Sequence, residues 1–406
     1  MSDFLAKTGE YPRQFWLLFW GMLLSTIGSS MIWPFLMVYA SERLNLPLTQ
    51  TATLVTLNST ASLLMTFAAG QITDRVGRKL VMVISLLSNA VVYLFFSHAA
   101  TYTQFAIVMI LLGACNPLYR VGADAMMADL IKPEKRADAY SILRMSNNAG
   151  IAIGPAVGGF LAAVSQYLAF YIASTGLFLF GLLVLLFARE TLPEGQASTA
   201  VRKERWGGYD RVFRDWPFIT TVINITFGLI TASLMWVLLP VYATKVIGIP
   251  KQLYGLIPTT NALMVVFLQV LVTQWTKQHP PLRMIALGMF FYAIGVGSVV
   301  LGTGFWGFWI SMVVITIGEL IIVPTSSTFV ANLAPPDMRG RYMSIYSLTW
   351  SLSIGIGPLL GGFLSDSFGP PATWIGGLVI GLVSTITFFI IERTFYKKEL
   401  TSEAVI

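Results

Sequence analysis

Charge is what this sequence has least of. Only 11% of its 406 residues are Asp, Glu, Lys or Arg, against 55% hydrophobic. A soluble domain carries about 25% charged residues, so this chain cannot clothe a water-facing surface, and a bilayer must do it instead. Cysteine is nearly missing. Cys115 stands alone, which excludes a disulfide framework and a cysteine metal site. The two histidines, His98 and His279, fall near the ends of apolar runs without ligand-like neighbours. The sequence has no phosphate-binding glycine loop, metalloprotease pair or nucleophile elbow, and its polar segments are too short for a soluble catalytic domain. No enzyme activity, metal or cofactor is expected.

What is abundant is apolar runs. Six lie at 14–40, 51–72, 80–96, 105–130, 139–164 and 168–188, and six more at 218–244, 254–275, 284–301, 308–333, 343–364 and 374–391. Most are near the roughly 20 residues that a spanning helix needs. The first is too long for a signal-peptide core and is read as a retained helix. The net charge of +7 could suggest nucleic acid, but its placement argues otherwise. With a cytoplasmic N-terminus, only Arg43, Lys245 and Lys251 fall outside, and Arg120 and Arg144 fall within spans; every other basic residue is inside. This is the positive-inside bias, so both termini are expected in the cytoplasm. The bilayer, not nucleic acid, is the expected partner.

The same stretch is written twice at an offset of 203 residues. Gly154-Pro155 with Gly158-Gly159-Phe160 returns as Gly357-Pro358 with Gly361-Gly362-Phe363. Without a gap, Trp33 matches Trp236, Val38-Tyr39-Ala40 matches Val241-Tyr242-Ala243, Pro47 matches Pro250, Asn58 matches Asn261, and Arg136 matches Arg339. In so apolar a chain, paired halves point to a secondary transporter, with its substrate site between repeats that rock against each other. The expected division is a bundle at 1–189, a cytoplasmic linker at 190–215 and a second bundle at 216–406. The linker's Arg202-Lys203-Glu204-Arg205 cluster suits contact with anionic lipid.

Between the second and third runs lies Gly70-Gln71-Ile72-Thr73-Asp74-Arg75-Val76-Gly77-Arg78-Lys79. Gly70 is expected to permit close helix approach and Gly77 a tight turn. This loop resembles the cytoplasmic signature of the major facilitator superfamily. The resemblance implies that Gly70, Asp74, Arg75, Gly77 and Arg78 form a gate, with Asp74 facing the start of the eleventh helix near Gly340 and latching the outward-open state. The second copy has lost the loop, because Gly70 aligns with Thr273 and Asp74 with Lys277. In the fifth run, Gly150, Gly154, Pro155, Gly158 and Gly159 put small residues on one helical face, which allows close backbone approach in lipid. They resemble the antiporter signature of the drug:proton branch, although Ser353-x-x-x-Gly357-Pro358 repeats the pattern and simple packing would explain it equally. That branch often carries an arginine early in the fourth helix. Here the nearest is Arg120, past the middle.

The copies differ in their intramembrane charges. Glu319 aligns with Asn116, Arg120 with Val323, Asp124 with Ser327 and Arg144 with Ser347. An ionisable residue deep in a span costs at least about 2.5 kcal/mol, so these four imply a polar interior. Arg120 and Asp124 are one helical turn apart and can pair, and Arg144 could join them in a buried charge network. Glu319, in Gly318-Glu319 followed by Pro324, resembles the functional acid of drug:proton antiporters; it and Asp124 are the candidate proton carriers. Trp33, Asn58, Tyr119, Trp236, Asn261, Tyr346 and Trp350 are the candidate lining of a cavity for flat or cationic molecules. The reading is therefore an all-α protein of twelve transmembrane helices in two pseudo-symmetric bundles, a monomer in the bacterial inner membrane. It would export lipophilic or cationic small molecules in exchange for protons, with the proton gradient as its energy source. A carrier of sugar or glycolipid, favoured by Asn58, Asn116, Asn147, Asn148 and Asn261, and a non-transporting membrane sensor are the alternatives.

Overall fold

The computed structural model describes residues 11–192, 209–335 and 338–396. Among them, twelve helices are long and apolar enough to cross a membrane. The first six are α1 (Arg13–Leu44), α2 (Leu48–Val76), α3 (Arg78–His98), α4 (Tyr102–Leu130), α5 (Pro133–Val164) and α6 (Gln166–Phe187). After a six-residue helix, Tyr209–Arg214, come α7 (Trp216–Val241), α8 (Lys251–Thr276), α9 (Pro281–Gly297), α10 (Phe305–Leu333), α11 (Arg339–Phe368) and α12 (Pro371–Ile391). The chain is thus an all-helical, multi-pass membrane protein. The linker's basic cluster, Arg202-Lys203-Glu204-Arg205, lies outside the described residues.

Local chemistry sets the helix starts. Thr101 and Gln104 form a capping box at α4: the Gln104 N–H donates to the Thr101 hydroxyl at 3.4 Å and the Thr101 N–H to Gln104 Oε1 at 3.2 Å. Asp215 caps α7 by accepting from the Phe218 N–H at 3.1 Å. Pro133, Pro281 and Pro371 occupy first turns, where the missing N–H costs nothing.

The chain divides into two compact units. The first comprises Met1–Leu44, Leu57–Val201 and Pro250–Ala262; the second comprises Asn45–Thr56, Arg202–Ile249 and Leu263–Ile406. In the first, α1 packs on α5 and α6, and α3 on α4 and α6. The second repeats this six helices later, with α7 on α11 and α12, and α9 on α10 and α12.

The duplicated glycines make these contacts. Gly154 of α5 is so close to Ser30 of α1 that a Cβ would overlap the hydroxyl, and Gly357 of α11 stands in the same relation to Ser233 of α7. Gly158 abuts the Met31 carbonyl, and Gly159 abuts Lys251 and Gly255 at the start of α8, within the first unit. In the second unit Gly362 abuts Leu48 and Thr49. There the Asp366 carboxylate accepts from the N–H groups of Leu48 at 3.1 Å and Thr49 at 2.7 Å. Gly70 corrects its sequence reading: a Cβ there would meet nothing within 4 Å, so it mediates no close approach.

Candidate functional site

Four helices of the first unit each turn a polar stripe toward one cavity of about 630 Å³. The stripes follow helical spacing. Helix α1 supplies Met22, Ser25, Thr26 and Ser29; α3 supplies Leu86, Asn89 and Tyr93. Helix α4 supplies Asn116, Tyr119, Arg120, Ala123 and Asp124, α5 supplies Tyr140, Leu143, Arg144 and Asn147, and Leu177 of α6 completes the wall. The structure therefore brings Tyr119, Arg120, Asp124 and Arg144 together, as their sequence positions suggested.

It does not join the three charges into the expected buried network. Arg120, Asp124 and Arg144 are exposed to the cavity, and no salt bridge links them among the described residues. Asp124 and Arg120 interact through space. The physical reason is that each of the three is exposed to the open cavity, where solvent can take the place of a protein partner.

The hydrogen bonds of the wall are arranged unevenly. Asn89 donates its Nδ2 to Asn116 Oδ1 at 3.0 Å, and Thr26 donates its hydroxyl to Asn147 Oδ1 at 3.1 Å. Both amide oxygens are thereby used, while the amide nitrogens of Asn116 and Asn147 donate to no described residue. The buried Tyr119 hydroxyl also lacks a partner among the described residues, as does Oδ1 of Asn89. Tyr140 donates to the Asp124 carbonyl at 3.1 Å.

The other expected lining residues do not belong to this wall. Asn58 is 8% exposed and donates its Nδ2 to the Met109 carbonyl at 2.9 Å, tying α2 to α4. Asn261 is likewise buried, and Trp33 is half-buried on α1. In the second unit Trp236 is half-buried on α7, Trp350 is exposed on α11, and the Tyr346 hydroxyl bonds the Ser326 hydroxyl at 2.8 Å. Glu319 is half-buried on α10 and interacts electrostatically with Tyr292 of α9. Asn89, Tyr93, Tyr140 and the α1 hydroxyls were not picked out from sequence. Their signal was there: polar residues at three- and four-residue spacing inside apolar runs.

At the helix ends of the first unit, the loop after α2 builds a charge cluster. Arg78 Nη2 lies 3.5 Å from Asp74, and Arg78 Nε lies 3.2 Å from Asp129 of α4. The Nε approach lacks hydrogen-bond alignment, so the attraction is ionic. Thr191 donates its hydroxyl to Asp129 at 3.0 Å. Arg75 is exposed. Glu190, just beyond α6, accepts from the N–H groups of Arg78 at 3.0 Å, Lys79 at 3.1 Å, Thr191 at 2.8 Å and Leu192 at 3.0 Å. Partial burial opposes its charge, but these four donors outweigh burial and hold the carboxyl below its ordinary range. Gly77 makes this possible. Its φ is 104°, and a side chain there would strike the Glu190 carboxylate.

Comparisons with known proteins agree with this architecture. The sequence profile described as Major Facilitator Superfamily matches residues 18–250 and 221–405. The MFS-type transporter YhjO of Bacillus subtilis is 24% identical, over 98% of this chain and 99% of its own. A Na(+), Li(+), K(+)/H(+) antiporter of Planococcus maritimus is 26% identical, over 81% of this chain and 84% of its own. The multidrug resistance protein MdtH of Escherichia coli is 27% identical, over 81% of each chain. Among solved structures, the nucleoside transporter NupG superposes with a TM-score of 0.80 at 11% identity, over 93% of this chain and 100% of that one. At that identity the likeness shows the fold alone.

Proposed function

Because this chain belongs to the major facilitator superfamily, and so is a membrane transporter by family, we propose that it exports lipophilic or cationic small molecules in exchange for protons, by alternating access. The observation that carries this reading is the cavity of about 630 Å³ with three charged side chains, set among helices otherwise fit for lipid. Such residues inside spans are costly and mark substrate or ion pathways. Similarity to a cation/proton antiporter and to a multidrug resistance protein supports antiport and export. The membrane would be the bacterial inner membrane, with both termini in the cytoplasm. The Asp74–Arg78–Asp129 cluster would act as the cytoplasmic latch.

Glu319 is the proposed coupling acid. It sits mid-helix in α10, where the first copy has Asn116. Protonated, it could cross a closed intermediate cheaply; ionised, it would attract a cation, so that binding one would expel the other. Glu319→Gln should abolish substrate-driven proton release in reconstituted vesicles while the protein still folds, because glutamine is nearly isosteric and carries no charge. Undiminished, proton-releasing export by the variant would make Glu319 structural and pass the role to Asp124. A sugar carrier is the second reading, favoured by the amides of Asn89, Asn116 and Asn147 in the cavity. Discharge of a pH gradient by sugars but not by organic cations would select it.

A further inference from the structure

We infer that the first unit's cavity recognises a carboxylate, and that its ligand is a zwitterionic amphiphile rather than a simple cation. This narrows the substrate class, and it rests on the proposal that the cavity is a substrate site. The charged groups of the wall are two guanidinium groups, Arg120 and Arg144, and one carboxylate, Asp124. With all three ionised, the wall carries a surplus positive charge. Arg144 is bound to no acid among the described residues, so it is available to a ligand.

The neutral groups reinforce the bias. Internal hydrogen bonds consume the oxygens of Asn116 and Asn147 and leave their N–H donors open. Tyr119 adds a hydroxyl without a partner among the described residues. The open donors of Asn116, Asn147 and Tyr119, beside the two guanidinium groups, suit an acceptor-only group, and an ionised carboxylate is one, while Asn89 Oδ1 and Asp124 remain as acceptors for a ligand's positive end. Guanidinium binds it in a fork, with charge-assisted hydrogen bonds stronger than neutral ones. A plain organic cation would meet two arginines in a confined, partly apolar space and be disfavoured by like charge. Asp124, one turn from Arg120, gives the positive end of a zwitterion its own partner. Met22, Leu86, Tyr93 and Leu177 give an aromatic or aliphatic body its contact.

A matched probe pair tests this. Removing the carboxylate from Nε-dansyl-L-lysine gives dansylcadaverine, so the two share a fluorophore, a chain and an amine. Both would be titrated by fluorescence into the full-length protein in lipid nanodiscs near neutral pH. Nε-dansyl-L-lysine should bind about tenfold tighter or more, the worth of one charge-assisted contact. Arg144→Gln should erase most of that preference, and Arg144→Lys should retain part of it. The wild-type comparison stands even if a variant fails to fold. Equal or tighter binding of dansylcadaverine, no binding of Nε-dansyl-L-lysine, or a preference that survives both Arg144→Gln and Arg120→Gln overturns the inference. Vesicles with an imposed pH gradient separate this result from the transport proposal. An arginine-dependent carboxylate preference without proton exchange sinks the proposed export and keeps the site. Proton exchange with dansylcadaverine and no carboxylate preference does the reverse.

Discussion

Glu190 shows how one side chain can organise a helix end. It lies past the last turn of α6 and neutralises orphan N–H groups at the start of α3, where the helix dipole also favours an anion. Its carboxyl is held below the ordinary range by backbone donors present only in the folded chain. A depressed folded value means its contribution is fully present above the unfolded value of about 4.3, and is lost as pH falls through the folded one. The thermal midpoint in detergent should therefore drop on acidification below that point, and Glu190→Gln should flatten this part of the profile. At neutral pH the variant should lose about 1 kcal/mol or less, the usual worth of a charge at a helix end. An unchanged acid limb would show that Glu190 carries no such linkage. Sequence alone did not disclose this role, because 112 positions separate Glu190 from Arg78. The second copy reaches a similar end differently: Glu392, beyond α12, pairs with the side chain of Arg283 in α9 at 2.9 Å.

Among the helices, legibility followed the physics of lipid. But for Ala188, the residue that caps α6, each expected span is recovered within a longer helix or a helix extended by one tighter or wider turn, because in a bilayer every backbone group must be satisfied within the helix. Some of the extra turns are polar, such as Arg78–Lys79 at the start of α3, and hydropathy does not see them. The glycine pattern of α5 was legible as a packing face, but which partner each glycine meets was not, since that depends on the arrangement of other helices. The contacts predict a graded response to alanine. Gly158→Ala would drive a methyl into the Met31 carbonyl, a backbone group that cannot move aside, and should cost about 1–3 kcal/mol. Gly154→Ala meets chiefly the Ser30 side chain, with the Ile27 carbonyl at 3.0 Å beside it, so adding Ser30→Gly should restore part of the loss but not all of it. Gly70→Ala, with open space around it, should be neutral or stabilising by up to about 1 kcal/mol. Thermal midpoints of the purified variants would rank them; equal losses at Gly158 and Gly70 would contradict the contacts.

Across the whole molecule, the duplication preserved packing and abandoned chemistry. The helix pairings of the first unit recur in the second, whereas Arg120, Asp124 and Arg144 give way to Val323, Ser327 and Ser347. Shared sequence thus reports scaffold, and the charged departures from it report where the units have separate work. Charge also bears on orientation. Arg75, Arg78 and Lys79 crowd one set of helix ends, and Arg189 lies at the same ends of the first unit through the Glu190 and Gln14 contacts. At the opposite ends, Lys251 is paired with Glu42 at 2.9 Å, which removes one of the few basic charges there. Basic residues retained on one side set orientation during insertion, so the first set of ends should face the cytoplasm. With Cys115 replaced by serine, Ala100→Cys, between α3 and α4, should react with an impermeant thiol reagent in intact cells. Ser198→Cys, in the linker outside the described residues, should react only after permeabilisation. External labelling of Ser198→Cys with Ala100→Cys protected would invert the orientation, move the Asp74–Arg78–Asp129 cluster to the outer face, and remove its proposed role as a cytoplasmic latch.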